Sequence, residues 1–156
     1  MAHRDFLDDS DEFPVRRAAE ALIDAARGDY PIAVYTRFEH GVIDTMIEFC
    51  PDLEAALRGI QRRLLDLHPL TKRSYYHRDM QGSWSIKAVL PTIAPELDYG
   101  NLGEIQEGGA AMDAYAEIIS VSTTPERKAA LVADLKRYCK RDTEAMVALA
   151  RCLAVA

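Results

Sequence analysis

Two residues in the C-terminal part of the chain, Tyr138 and Asp142, have the side chains and the spacing for chemistry on one helix. In residues 131–149 (LVADLKRYCKRDTEAMVAL), apolar side chains recur at steps of three and four, and Tyr138 and Asp142 fall on the same face. A carboxylate on a core-facing stripe is costly unless a charged group or a metal meets it. The pattern therefore predicts that a charged group or a metal ion meets Asp142. The alternative is an ordinary helix with a half-exposed tyrosine and an aspartate at the rim of the core.

A third candidate, Glu39, follows the apolar run PIAVYT at residues 31–36, which predicts a buried strand of a parallel sheet. Residues just after such a strand lie at the usual ligand-binding edge of an open α/β sheet. Glu39 also lies in the first turn of the helix that we expect next, where the helix dipole favours a carboxylate whatever its function. Both interpretations of Glu39 stay open.

Basic and aromatic residues are mixed in residues 72–81 (KRSYYHRDMQ) and just beyond them. Such a mixture could track a phosphate backbone and stack nucleobases. In the alternative interpretation, the aromatic rings fill the core and the cations face water. The candidate nucleic-acid-binding residues are Lys72, Arg73, His77, Arg78, Trp84 and Lys87.

Length and composition predict one domain over residues 1–156, of the globular class and in the cytoplasm. No apolar run approaches the roughly 20 residues of a membrane span, and the N-terminus lacks the apolar centre of a signal peptide. The three cysteines show no C-x-x-C pairing, so we expect neither a disulfide framework nor a zinc site. The net charge of −6 is unlike that of a dedicated nucleic-acid binder, but a site built from carboxylates and metal ions is itself acidic.

The order of the predicted elements indicates an α/β layered domain with two strands among about six helices. We expect helices over residues 15–27, 39–49, 53–63, 83–90 and 110–119 and from residue 124 onward, and strands over residues 31–36 and 64–70. Ser83 is the expected N-cap of its helix. Two strands make a poor sheet. We therefore expect either a further strand in residues 1–13, with residues 3–7 as its last part, or strands outside this chain. The rest of residues 1–13 is acidic and is expected to be poorly ordered.

Three features, in this order, resemble the RNase H-like DEDD 3′–5′ exonucleases of the tyrosine type (DnaQ-like). They are the strand and turn that lead to Phe38-Glu39, the strand LLDL that contains Asp66, and the pair Tyr138-x-x-x-Asp142.

More specifically, residues 3–153 resemble an uncharacterised bacterial domain found C-terminal to predicted RecB-like nucleases. The stretches GSWSIKAVLP and YCKRDTEAM carry this resemblance most specifically, and VYTRFEHGVI, YYHRDMQ and EIQEGG also contribute.

The resemblance implies a helix-rich, RNase H-like α/β fold and hydrolysis of DNA or RNA by two Mg²⁺ or Mn²⁺ ions held by four carboxylates. On this basis Glu39 and Asp142 are metal ligands, and Tyr138 orients the attacking water. The chain departs from the family pattern at two positions. Thr36 stands where the family has Asn, and Glu39 stands where it has Asp.

The first motif of that superfamily, Asp-x-Glu on a sheet strand, does not occur before PIAVYT. The acidic residues Asp8, Asp9, Asp11 and Glu12 lie in polar sequence that predicts a solvated loop. The resemblance implies that the first motif lies upstream of Met1, so that this chain is the C-terminal part of a larger nuclease domain.

A second interpretation comes from a different functional class. The chain could be a non-catalytic interaction or scaffold domain, or a decayed nuclease fragment. In that case a partner chain covers its unpaired edge strand and apolar surface.

Overall fold

A computed structural model describes residues 3–10, 13–97, 99–100 and 102–154 of the chain. These residues form seven α-helices and two short strands, together with three single-turn 3₁₀ helices. The elements are α1 Val15–Ala25, β1 Ile32–Val34, α2 Phe38–Phe49, α3 Glu54–Gln61, β2 Leu64–Asp66, α4 Leu67–Ser74, α5 Ile86–Ile93, α6 Gly108–Ile118 and α7 Pro125–Ala154. The 3₁₀ helices are Pro51–Leu53, Arg78–Met80 and Pro95–Leu97.

The two strands are adjacent and parallel, with Ile32 opposite Leu64 and Val34 opposite Asp66. The Ile32 N–H donates to the Arg63 carbonyl at 2.9 Å, which continues the pairing just before β2 begins. Helices α2 and α3 connect the strands, as the β-helix-β order predicted. The expectation of a helix-rich α/β domain with two strands is therefore confirmed.

The predicted strand at residues 64–70 is wrong beyond Asp66, because the chain turns there into α4. The Asp66 carboxylate caps this helix, since its Oδ1 accepts a hydrogen bond from the His68 N–H at 2.9 Å. Pro69 lies in the first turn, where its missing N–H removes no bond within the helix. Helix α4 also takes in residues 72–74, which were expected to belong to a loop.

The strand expected at residues 3–7 is also absent, because residues 3–10 have no regular secondary structure. This segment is nevertheless attached to the last two helices. The Tyr115 hydroxyl donates to the Asp8 carbonyl at 3.0 Å, and Leu7 packs against the core. Residues 1, 2, 11 and 12, which complete the predicted acidic start, lie outside the described residues.

The N-cap of α5 is Ser85 rather than Ser83, so this helix begins and ends later than the predicted range of 83–90. The Ser85 Oγ accepts from the Ala88 N–H at 3.3 Å, as an N-cap does. Ser83 instead supports the N-cap residue Ser85, because the Ser83 Oγ accepts a hydrogen bond from the Ser85 N–H at 3.3 Å.

Hydrophobic packing covers one face of the sheet. There, Ala19, Ile43 and Leu57 of α1, α2 and α3 form a cluster that also receives Ile32 and Leu64 from the strands. Helices α5, α6 and α7 enclose a separate cluster, with the stripe of α7 buried as its spacing predicted. The buried residues of that stripe are Leu131, Leu135, Tyr138, Ala145 and Leu149.

Helix α7 is 30 residues long, yet it carries a charged face. Among the residues that the structure describes, no helix combines the length and the apolar character that a membrane crossing requires.

A strained turn follows β1. Thr36 has a φ of 75°, in the left-handed region that β-branched residues rarely adopt. Its N–H donates to the Asp66 Oδ1 at 2.9 Å, so the end of β2 holds the turn that follows β1. Helix α2 begins two residues later, at Phe38.

Replacing Thr36 by glycine should stabilise the fold by about 0.5–1 kcal/mol. Glycine avoids the left-handed penalty of about 1–2 kcal/mol, although part of this gain is offset by its greater freedom in the unfolded chain. Urea denaturation would measure the change. The same substitution at Thr45, on the exposed face of α2, should instead destabilise by about 0.5 kcal/mol. Equal effects at the two positions would contradict the strain at Thr36.

Candidate functional site

The three residues predicted to be catalytic come together at one cleft. Glu39 lies in the first turn of α2, just after β1, and α7 crosses the same end of the sheet with Tyr138 and Asp142. All three line a cleft of about 530 Å³. Its other lining residues are Tyr35, Thr36, His68, Trp84, Ser85, Ile86, Lys87 and Met146.

Glu39 is half-buried in this cleft, and burial is the main reason that its pKa is raised. A backbone hydrogen bond lowers the pKa, whereas the negative charges of Asp66 and Asp142 raise it further. The Glu39 Oε2 is buried and has no hydrogen-bond partner among the described residues. An oxygen in this state favours either a proton or a cation.

Asp142 is also partly buried, and its pKa is raised by that burial. Three neighbours act in the opposite direction and favour the ionised carboxylate: Tyr99 by a hydrogen bond, Lys87 by its charge, and Tyr138 by its phenol. The Tyr99 hydroxyl donates to the Asp142 Oδ1 at 2.7 Å. The ionised form of Asp142 is therefore better stabilised by its neighbours than that of Glu39.

The Tyr138 phenol stays protonated at neutral pH, because burial, with the Asp142 charge as a second cause, raises its pKa to about 12. Its ring lies beside a cation. The Lys87 Nζ is 5.9 Å from the centre of the Tyr138 ring and 5.6 Å from that of Tyr99. The same Nζ donates to the Gln106 carbonyl at 2.6 Å, which fixes its position.

Of the six candidate nucleic-acid-binding residues, Trp84 and Lys87 line the cleft. Lys72, in the last turn of α4, lies close by, with its Nζ 5.7 Å from the centre of the Trp84 ring. The Trp84 Nε1 donates to the Tyr75 carbonyl at 3.1 Å, so the indole is held in place.

The other three candidates do not line the cleft. Arg73 lies in the last turn of α4. His77 and Arg78 are both engaged with Asp79, through contacts of 3.6 Å and 3.4 Å to its carboxylate.

The sequence analysis missed His68 and Tyr99 as residues of the site, whereas Tyr35 begins the candidate stretch that ends at Glu39. The Tyr35 hydroxyl donates to the Trp84 carbonyl, and its ring meets His68 edge to face at 5.2 Å between centres. His68 follows β2 as Glu39 follows β1, but the predicted strand at residues 64–70 contained it and so hid this position. Tyr99 lies in a loop and belongs to no motif, so nothing local marks it.

The cleft continues on the other side of the carboxylates as an apolar space of about 670 Å³. Phe38 and Met112 line this space, and they are 74% and 76% exposed. Glu39 and Asp142 line both parts. The two carboxylates thus lie between a polar half with Lys87 and Trp84 and an apolar half formed by α2 and α6.

Glu39 and Asp142 offer the hard oxygen donors that Mg²⁺ and Mn²⁺ prefer, and the unpartnered Glu39 Oε2 fits such a role. Within the described ranges, however, no group of three or more His, Cys, Asp or Glu side chains is arranged to hold a metal ion. Asp66 lies nearby, but its Oδ1 is occupied by the Thr36 and His68 amides. The described residues therefore offer two carboxylates at the cleft, fewer than a complete set of metal ligands.

The fold and the cleft together define a helix-rich α/β domain with a pair of half-buried carboxylates. The chain belongs to the family described as a domain of unknown function (DUF2779), whose model matches residues 1–85. The match includes Glu39 and Trp84 and ends before Tyr138 and Asp142. Comparison with curated proteins and with solved structures gave no match.

Replacing Glu39 by glutamine should raise the melting temperature at pH 7.5 by on the order of 2 °C. Because the folded pKa is raised, the unfolded chain loses its proton first, near the ordinary value of 4.5. Stability is then lost as the pH rises from that value through the folded pKa. Glutamine cannot ionise, so the gain should vanish near pH 4.

Differential scanning fluorimetry across this pH range would measure the effect. Glu48→Gln, on the exposed face of the same helix, is the matched control and should change the melting temperature little at either pH. A Glu39→Gln gain that persists unchanged at pH 4 would show that burial of the charge is not its cause.

Proposed function

We propose that this chain is a nuclease module of the RNase H-like DEDD type, which acts on DNA or RNA by metal-dependent phosphodiester hydrolysis. One observation carries the proposal. Glu39, just after β1, and Asp142, on the last helix, line one cleft although 103 positions separate them, with Tyr138 one helical turn from Asp142. This is the order and the setting of the carboxylates in the exonucleases that the sequence resembles.

Each residue has a role that its surroundings support. Glu39 and Asp142 would hold Mg²⁺ or Mn²⁺, because partial burial leaves a negative charge on each carboxylate that a cation would offset. Such ions, when bound, would activate water and stabilise the leaving oxygen. The protonated Tyr138 hydroxyl would orient the attacking water. Lys87 attracts the phosphate, and Trp84 offers a fixed ring for a base to stack on.

Two further carboxylates are needed for a two-metal site. We propose that they come from a segment with the Asp-x-Glu motif, which adds a strand to the open edge of β1. Among the described residues β1 pairs with β2 alone, so its other edge is unpaired. The same resemblance favours an association with RecB-like nucleases, as a neighbouring domain or as a partner chain.

Mn²⁺ should raise the melting temperature of the protein, and Asp142→Ala should abolish that rise. An ion that binds only the folded state, present at ten times its Kd, adds roughly 1.4 kcal/mol, or about 4 °C. Thermal melts with and without Mn²⁺ would measure both. Asp134→Ala removes another carboxylate of α7, one paired with Arg137, and should respond to Mn²⁺ like the wild type. If the wild type and Asp142→Ala respond identically, the metal site is wrong.

A second candidate function, a scaffold domain that binds another chain, is favoured by the uncovered face of the sheet. Ala33 and Leu65 are paired in register and point to the same face, where Ala33 is exposed and Leu65 is 45% exposed. Parallel sheets normally have both faces covered. On this proposal a partner chain, or a second copy, covers the pair.

Self-association through this face should disappear in Leu65→Glu, because a carboxylate cannot be buried there without a partner. Size-exclusion chromatography with light scattering would show a dimer for the wild type and a monomer for the variant. Val121→Glu is the matched control, since Val121 is 99% exposed outside the sheet, and it should leave the mass unchanged. A monodisperse wild-type monomer would count against self-association.

A further inference from the structure

Tyr99 makes a contact that neither the motifs nor the proposed chemistry requires. Its hydroxyl donates to the Asp142 Oδ1 at 2.7 Å, across 43 positions of sequence. The residue is only 6% exposed, and the centre of its ring lies 6.2 Å from that of Tyr138. Both aromatic neighbours of Asp142 therefore belong to one packed group, and Tyr99 engages one of the two carboxylate oxygens.

The described residues that follow Tyr99 pack against the neighbouring helices. Leu102 and Ile105 are buried in the cluster formed with α5, α6 and α7. At Gly103, where φ is 89°, a Cβ would come within 3.2 Å of the Asp134 Oδ2, so the loop approaches α7 closely. The Gln106 carbonyl accepts from Lys87 at 2.6 Å, which ties the loop to α5 as well. Tyr99 itself is buried in the same cluster.

A carboxylate with one oxygen fixed by a buried donor loses rotational freedom about its side chain. In metal sites the ligating carboxylates are commonly held in this way, and loss of the supporting hydrogen bond weakens metal binding about 10–100-fold. The Tyr138 phenol and the charge of Lys87 also favour the ionised Asp142, while the Tyr99 hydroxyl holds its Oδ1.

We propose that Tyr99 is a positioning residue for Asp142, whose hydroxyl holds Oδ1 and leaves Oδ2 for a divalent cation. This inference rests on the proposed function of Asp142 as a metal ligand. A buried phenol also needs a hydrogen-bond partner for stability alone. The Mn²⁺ affinity, rather than the melting temperature, therefore distinguishes a positioning role from a purely structural one.

The test is Mn²⁺ binding by Tyr99→Phe, which keeps the ring and its packing and removes only the hydroxyl. The EPR signal of free Mn²⁺, followed well below the melting temperature, gives the Kd of wild type and variant. We expect the Kd of Tyr99→Phe to rise about tenfold. Circular dichroism would verify that the variant is folded at the temperature of the titration.

The matched control is Tyr75→Phe, which removes another partly buried phenol, one that lies 3.0 Å from the Thr92 Oγ1 and contacts neither carboxylate. It should lower the melting temperature by a similar amount, about 2–5 °C, and leave the Mn²⁺ Kd unchanged. A Tyr99→Phe variant that melts lower but binds Mn²⁺ like the wild type would reduce Tyr99 to a packing role. Absence of saturable binding in the wild type, or equal binding by Asp142→Ala, would overturn the metal site and this inference with it.

Discussion

The Asp66 carboxylate joins the ends of both strands, and the geometry of the cleft depends on it. Its Oδ1 accepts one hydrogen bond from the Thr36 N–H and a second from the His68 N–H, each at 2.9 Å. The first bond holds the left-handed turn that leads into α2 and so places Glu39. The second starts α4 at the end of β2. With only three residues in each strand, the sheet has few other bonds to fix these ends.

The ionised forms of the two carboxylates of the cleft, Glu39 and Asp142, are unequally stabilised by their neighbours. Asp142 has a phenol donor in Tyr99 and a nearby cation in Lys87, and both favour its ionised form. The ionised form of Glu39 is favoured only by a backbone hydrogen bond and the charge of His40, and its Oε2 is buried without a hydrogen bond among the described residues. A carboxylate that is buried without full compensation of its charge is expected mainly at functional or strained positions. The asymmetry makes Glu39 the carboxylate that gains most from a proton or a metal ion.

The sequence predicts those features that repeat locally or follow a strand. The stripe of α7 and the strand before Glu39 were visible because periodicity and apolar runs report burial directly. The start of α4 was not, because the apolar run LLDLHPL fits a strand or a helix until the capping role of Asp66 is known. Tyr99 was also hidden, since it meets Asp142 only through the folding of a loop onto a distant helix. Long-range contacts of this kind leave no trace in local spacing.

Helix α7 carries both the site and the attachment of the N-terminal segment. Lys136 pairs with Asp5 at 2.8 Å, and Lys128 pairs with Asp9 at 3.4 Å. Because an α-helix rises about 1.5 Å per residue, Asp142 lies only about 9 Å along the axis from Lys136. The described residues 3–10 therefore contact the same helix that bears the Asp142 carboxylate.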